Sequence, residues 1–184
     1  DNEGLKEVNQ TKIDILVFSQ GTEMRDYHTV GGSGDPRIDA VNSKGEQHKN
    51  AIVSDRRYLQ NARFGIILSC VSELSERISS ALKNPVWGIW LGRKNCIPSS
   101  PVFRGIYPTF SEAVDYFREW NKHDPVWEKN LILDGKAFQN GIMMISETQD
   151  VNGERTMDNP VSFSGRKFTS RYTQKTTICC GSTF

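Results

Sequence analysis

Strands and helices are mixed along this 184-residue chain without a strict strand–helix–strand repeat, which predicts an α+β fold with helices packed on one face of a sheet. Three observations carry that prediction. A β-branched apolar run lies near the start of the chain, two later stretches carry apolar residues at helical spacing, and a long polar segment interrupts the early strands. Lys12-Ile13-Asp14-Ile15-Leu16-Val17-Phe18 has the composition of a strand. Arg25-Asp26-Tyr27-His28-Thr29-Val30 follows a turn and suits an extended backbone. Residues 31–54 are glycine-rich and polar. A structureless run of about 24 residues inside a compact domain is usually functional or disordered, so this one reads as a projecting arm. Residues 58–70 restore a strand pattern, best from Arg63 onward.

Val71-Ser72-Glu73-Leu74 opens a helix that runs to about Lys83. Leu74, Ile78, Ala81 and Leu82 recur at helical spacing, and Asn84-Pro85 stops it. Residues 86–91 read as a short strand entering Gly92. Thr109-Phe110-Ser111-Glu112 has the form of a capping box, and Ala113, Val114, Phe117 and Trp120 share one side of the helix behind it. Residues 131–133 and 141–145 read as two strands of a hairpin joined through Asp134-Gly135. Residues 170–179 read as a last, basic strand.

Apolar residues make up 36% of the chain and the formal net charge is +1. The total is uninformative, but its distribution is not. Residues 85–110 contain no acid and carry Arg93, Lys94 and Arg104; residues 161–184 contain no acid and carry Arg166, Lys167, Arg171 and Lys175. Residues 111–158 hold ten acids against five bases. Local basic segments attract phosphate even when the total charge is small. Cys70, Cys96, Cys179 and Cys180 fit neither zinc spacing nor a disulfide framework. Reduced thiols and a cytoplasmic location are the expectation, with no membrane partner, no metal and no cofactor. Cys96 reads as a small buried packing residue.

The three histidines, His28, His48 and His123, form no metal motif, and neither a phosphate loop nor a nucleophile elbow is present. A metal-free ribonuclease needs only an acid/base pair and a tyrosine; Tyr27, His48 and Lys49 are the candidates for that alternative. On a strand, Tyr27 and His28 point to opposite faces. RNA binding without cleavage asks only for cations and stacking groups. Arg25, Tyr27 and His28 supply them before the arm, and Arg56, Arg57 and Tyr58 after it.

Arg25-Asp26-Tyr27-His28-Thr29-Val30, the polar arm, Arg57-Tyr58-Leu59-Gln60-Asn61-Ala62-Arg63-Phe64, and then Leu91-Gly92-Arg93-Lys94-Asn95-Cys96-Ile97-Pro98-Ser99 occur in this order. Together they closely resemble the CasD family, the CRISPR-associated RAMP subunits of type I Cascade complexes, and point to its type I-E branch. The resemblance runs over about residues 12–101, weakens over 107–160, and returns faintly at Arg166-Lys167-Phe168-Thr169-Ser170-Arg171.

The resemblance implies a ferredoxin-like (RRM-related) RAMP domain over residues 1–30 and 55–184, with 107–160 as an insertion or second lobe and 31–54 as the thumb. It implies a non-catalytic scaffold in antiviral defence that grips the CRISPR RNA 5′ handle and caps the backbone filament. Partners would be the Cascade backbone subunits and the large subunit, with target DNA met only indirectly. Arg25, Tyr27, His28, Arg56, Arg57, Arg93, Lys94, Arg166 and Arg171 are the expected RNA-binding residues. Type I-C relatives cut precursor RNA, which is the origin of the metal-independent endoribonuclease alternative; a pure protein-interaction subunit is the third. The family opens with a strand and helix ahead of the segment matching Lys12. This chain has no counterpart in sequence, so residues before Asp1 are expected.

Overall fold

The computed structural model describes residues 2–46, 50–122, 130–133, 136–139, 141–162 and 165–179. Helices and strands are mixed as expected for an α+β protein. The elements are α1 (Asn2–Asn9), β1 (Lys12–Ser19), β2 (Thr22–Val30), β3 (Ile52–Gln60), β4 (Arg63–Ser69), α2 (Ser72–Lys83), α3 (Phe110–Lys122), β5 (Asn130–Leu133), β6 (Lys136–Gln139), β7 (Gly141–Thr148), β8 (Glu154–Ser162) and β9 (Lys167–Cys179). They form two compact units, one of residues 1–18 and 64–184 and the other of residues 19–63.

The larger unit is built on a five-stranded sheet in the order β4-β1-β7-β9-β8. The β1–β7, β7–β9 and β8–β9 pairs are antiparallel. Alternation along each strand divides the side chains between two faces. One face presents Leu16, Phe18, Ile67, Ile142 and Ile178, which pack with Ala113, Val114 and Phe117 of α3 into the main core. The i, i+3, i+4 spacing of those α3 residues makes the apolar stripe that covers this face. The other face carries a smaller cluster of Val17 and Met143 with Ile15 and Ile145 beside it.

One arm of the capping box forms at α3, and a bond between the two side chains takes the place of the other. The Glu112 backbone N–H donates to Thr109 Oγ1 at 3.2 Å, and the Thr109 hydroxyl donates to Glu112 Oε1 at 3.0 Å. The expectation that no helix precedes Lys12 is corrected: the short polar helix α1 lies there, with too few apolar residues to show a periodic pattern. It is tied to the edge strand β8 by Asn9, whose Nδ2 donates to the Pro160 carbonyl at 2.8 Å, and to α2 by the Glu7–Arg77 ion pair at 3.0 Å. Pro160 lacks an N–H, which an edge strand tolerates.

Two expectations, one strand and one pairing, are corrected. Residues 86–91 form no strand; Val86, Trp87 and Leu91 stand exposed in an irregular loop, so their apolar run has no sheet to enter. Residues 131–133 pair with β6, not with β7, because β7 is already bonded on both sides by β1 and β9.

The smaller unit is the β2–β3 hairpin, paired in one unbroken register from Thr22↔Gln60 to Val30↔Ile52. The segment between the two strands is not featureless. Asp39 accepts from the Ser33 and Gly34 N–H groups, each at 2.9 Å, and from the Ser33 hydroxyl at 2.9 Å. These bonds, led by the Ser33 N–H, hold the Asp39 pKa below the usual carboxylate value. At the base of the hairpin Gly21 has φ +71, and a Cβ there would collide with the Gln60 carbonyl and lie 2.7 Å from Ala62 N. Both obstacles are backbone and cannot swing away. Gly21→Ala is therefore expected to destabilise this unit by about 2 kcal/mol or more, from backbone strain plus the clash. Hydrogen exchange of the β2 and β3 amides measures it; unaltered protection would show that the base of the hairpin relaxes freely.

Candidate nucleic-acid interface

The candidate cations fall in both units. In the hairpin, alternation places Glu23, Arg25, Tyr27 and Thr29 of β2 with Val53, Asp55, Arg57 and Leu59 of β3 on one exposed face. Arg25 and Arg57 stand directly opposite each other, an arrangement that is repulsive by itself. Diagonal carboxylates resolve it. Arg25 Nε and Nη2 donate to the two oxygens of Asp55 at 3.0 and 2.6 Å, and Arg57 Nη1 donates to Glu23 Oε1 at 3.1 Å. Such exposed pairs contribute little to stability, and the guanidinium fork that grips a carboxylate also fits a phosphate. Tyr27 lies on this same face, 65% exposed.

The opposite face of the hairpin carries Asp26, His28, Ser54, Arg56 and Tyr58, all half-buried. His28 Nδ1 is buried without a hydrogen-bond partner. The hairpin thus unites Arg25, Tyr27 and Arg57 and separates them from His28 and Arg56. His48 and Lys49 of the alternative catalytic set lie outside the described residues, as does His123.

In the larger unit, Arg93 and Lys94 occupy a turn after α2 that the backbone closes on itself. The Leu91 N–H donates to the Cys96 carbonyl at 2.8 Å, and the Cys96 N–H returns to the Arg93 carbonyl at 2.9 Å. Gly92 supplies the left-handed φ of +85 that the turn requires. Both cations are exposed, and Lys94 Nζ lies 5.9 Å from the centroid of the Trp90 ring. Cys96 is half-buried, with its Sγ 3.7 Å from Asn95 Oδ1.

Arg166 is exposed beside the start of β9 and holds a left-handed φ of +49. Arg171 is differently placed. Its Nε and Nη2 donate to Asp158 at 2.8 and 2.6 Å, and its Nη1 donates to Glu147 at 3.0 Å. The Asp158 hydrogen bonds raise its pKa above the ordinary arginine value; partial burial opposes this and Glu147 reinforces it. Two carboxylates around one guanidinium leave the spot net negative, so Arg171 braces β7, β8 and β9 and is poorly placed to hold a phosphate. Among the described residues no group of three or more His, Cys, Asp or Glu side chains is arranged to hold a metal ion, and no helix is long and apolar enough to cross a membrane. Trp87 and Trp90, overlooked in the sequence, belong to the acid-free basic segment; two indoles within residues 85–110 were the available signal.

The family model described as CRISPR-associated protein (Cas_Cas5) matches residues 2–174. The chain belongs to the Cas5 family of CRISPR-associated proteins. The fold agrees with that membership. A solved structure described as a CRISPR RNA-guided surveillance complex contains a chain similar to this Cas5-family protein, with a TM-score of 0.64 and 22% identity, over 95% of this chain and 75% of that one. A crystal structure of a Cas protein matches with a TM-score of 0.56 and 21% identity, over 93% of this chain and 68% of that one. No curated protein matches the sequence.

Proposed function

We propose that this Cas5-family chain is a non-catalytic RNA-binding scaffold of a type I-E-like Cascade, a ferredoxin-like RAMP subunit that holds the CRISPR RNA 5′ handle at the end of the backbone filament. The observation that carries the reading is the closed turn presenting Arg93 and Lys94 within a segment that contains no acid. A pre-ordered pair of cations binds phosphate without first losing loop entropy. Recognition of this kind reads RNA backbone and shape, while base pairing reads the target sequence. The hairpin face of Arg25, Tyr27 and Arg57 offers a second contact by exchange of carboxylate for phosphate. Tyr27 and His28 lie on opposite faces of the hairpin and so form no acid/base pair on one phosphate; a cleavage assay decides between the non-catalytic role and the Tyr27, His48 and Lys49 alternative. The scaffold would work in the cytoplasm beside the backbone and large subunits.

Filter binding of repeat-derived handle RNA, with a scrambled control, tests the proposal. The double variant Arg93→Ala/Lys94→Ala is expected to bind more weakly and to lower the magnitude of the salt slope by about 1.4, since each lost contact to a single strand removes about 0.7. An unchanged affinity and slope would remove both residues from the site. Incubation with precursor repeat RNA in the absence of metal tests the other half: specific cleavage would overturn the non-catalytic role.

A further inference from the structure

Trp87 is 79% exposed, an unusual state for the residue type with the largest apolar surface. Its surroundings tie it to the basic turn. A Cβ on the next residue, Gly88, would lie 3.2 Å from Trp90 Cζ3, so the Trp90 ring rests against the backbone beside Trp87. Lys94 Nζ in turn lies over Trp90. Trp90 therefore lies between the Gly88 backbone and Lys94; Trp87 adjoins Gly88 in the chain, and Arg93 precedes Lys94 in the closed turn. Within this group Trp90 is shared between backbone and ammonium, whereas Trp87 is open.

We infer that Trp87 is a stacking platform for an unpaired RNA base whose flanking phosphates meet Arg93 and Lys94. The inference rests on the RNA-binding reading above and assigns the indole a role within it. An indole face accepts any base by stacking, and cations beside it hold the backbone. An apolar protein segment would satisfy the indole alone; the absence of any acid across residues 85–110, with Arg93, Lys94 and Arg104 inside it, favours a polyanion.

The test uses the full chain and a fluorescein-labelled oligoadenylate of about 12 nucleotides, within the usual site size, read by anisotropy. A second series of the same strand carries one abasic nucleotide, moved along its length. Trp87→Ala is expected to weaken binding of the intact strand by about 5- to 150-fold, the equivalent of one lost base stack, while Trp87→Phe retains most of the affinity. At one abasic position the strand should already have lost that factor, and Trp87→Ala should then cost nothing further. A loss that is the same for intact and abasic strands, or no loss at all, would overturn the stacking role; if Arg93→Ala/Lys94→Ala still weakens binding, the RNA-binding reading survives. Failure of the unaltered chain to bind any strand, handle RNA included, would overturn both.

Discussion

Phe117→Ala is expected to destabilise the larger unit by about 3–5 kcal/mol, the usual cost of emptying a buried aromatic site. The ring is 7% exposed and central to an aromatic group. Its centroid lies 5.9 Å from Phe18, 5.6 Å from Tyr116 and 6.3 Å from Trp120, the last two edge-on. Deleting it removes apolar burial and these edge contacts together. Gly65 of β4 sets the depth of the site: a Cβ there would sit 2.9 Å from Phe117 Cε1 and 3.0 Å from Cζ. Glycine is the residue that admits the ring so close to the strand. Gly65→Ala alone is therefore expected to cost about 1–3 kcal/mol by overpacking. Combined with Phe117→Ala, the added methyl enters the space left by the ring and relieves part of the loss. The double variant should be more stable than the sum of the singles by about 1 kcal/mol or more. Urea denaturation of all four chains measures this cycle. Strict additivity would show that Phe117 does not press on β4.

That site also marks what the sequence could reveal. β1, α2 and α3 were legible because their apolar residues repeat with the period of the element that buries them, and Thr109 and Glu112 announced the start of α3. α1 and β8 were not legible. Asn2–Asn9 is short and mostly polar, and Glu154–Ser162 is a polar edge strand containing a proline; neither needs a strong apolar pattern, because each is held by bonds to neighbours such as Asn9–Pro160. Residues 86–91 misled for the converse reason: Val86, Trp87 and Leu91 have strand composition but face solvent.

The candidate interface was partly legible in the same way. Arg93, Lys94 and Gly92 are contiguous, so their turn could be read from the chain. The pairing of Arg25 with Asp55, and of Arg171 with Asp158 and Glu147, depends on cross-strand register, which one strand cannot disclose. Composition alone therefore overstated the free positive charge, and it passed over Trp87, whose significance comes from exposure.

Opposite stability changes are expected at Lys12 and Asp14. Asp14 is fully buried, on the face of β1 that also carries Leu16 and Phe18, and it stands opposite Ser146 in β7. Neither carboxylate oxygen of Asp14 nor the Ser146 hydroxyl has a hydrogen-bond partner. Lys12 Nζ approaches Asp14 Oδ1 at 3.5 Å while remaining half exposed; this is a charge contact, not a hydrogen bond. A buried carboxylate with so little compensation is costly. Asp14→Val has a similar volume and suits a central strand, so it is expected to stabilise the fold by about 1–4 kcal/mol. Lys12→Met removes the countercharge and leaves the carboxylate in place. Full loss of a buried partner costs about 3–5 kcal/mol; solvent already screens the exposed ammonium, so about 1–2 kcal/mol is expected here. In the Asp14→Val background Lys12→Met should cost less than in the parent, because only the ammonium's contact with the Phe110 ring, 5.7 Å from its centroid, is then lost. Chemical denaturation of the two single variants and the double variant decides the matter. A destabilised Asp14→Val would mean that the carboxylate has partners worth more than its burial costs. A neutral Lys12→Met in the parent would mean that the ammonium, although 3.5 Å away, does not offset the buried charge.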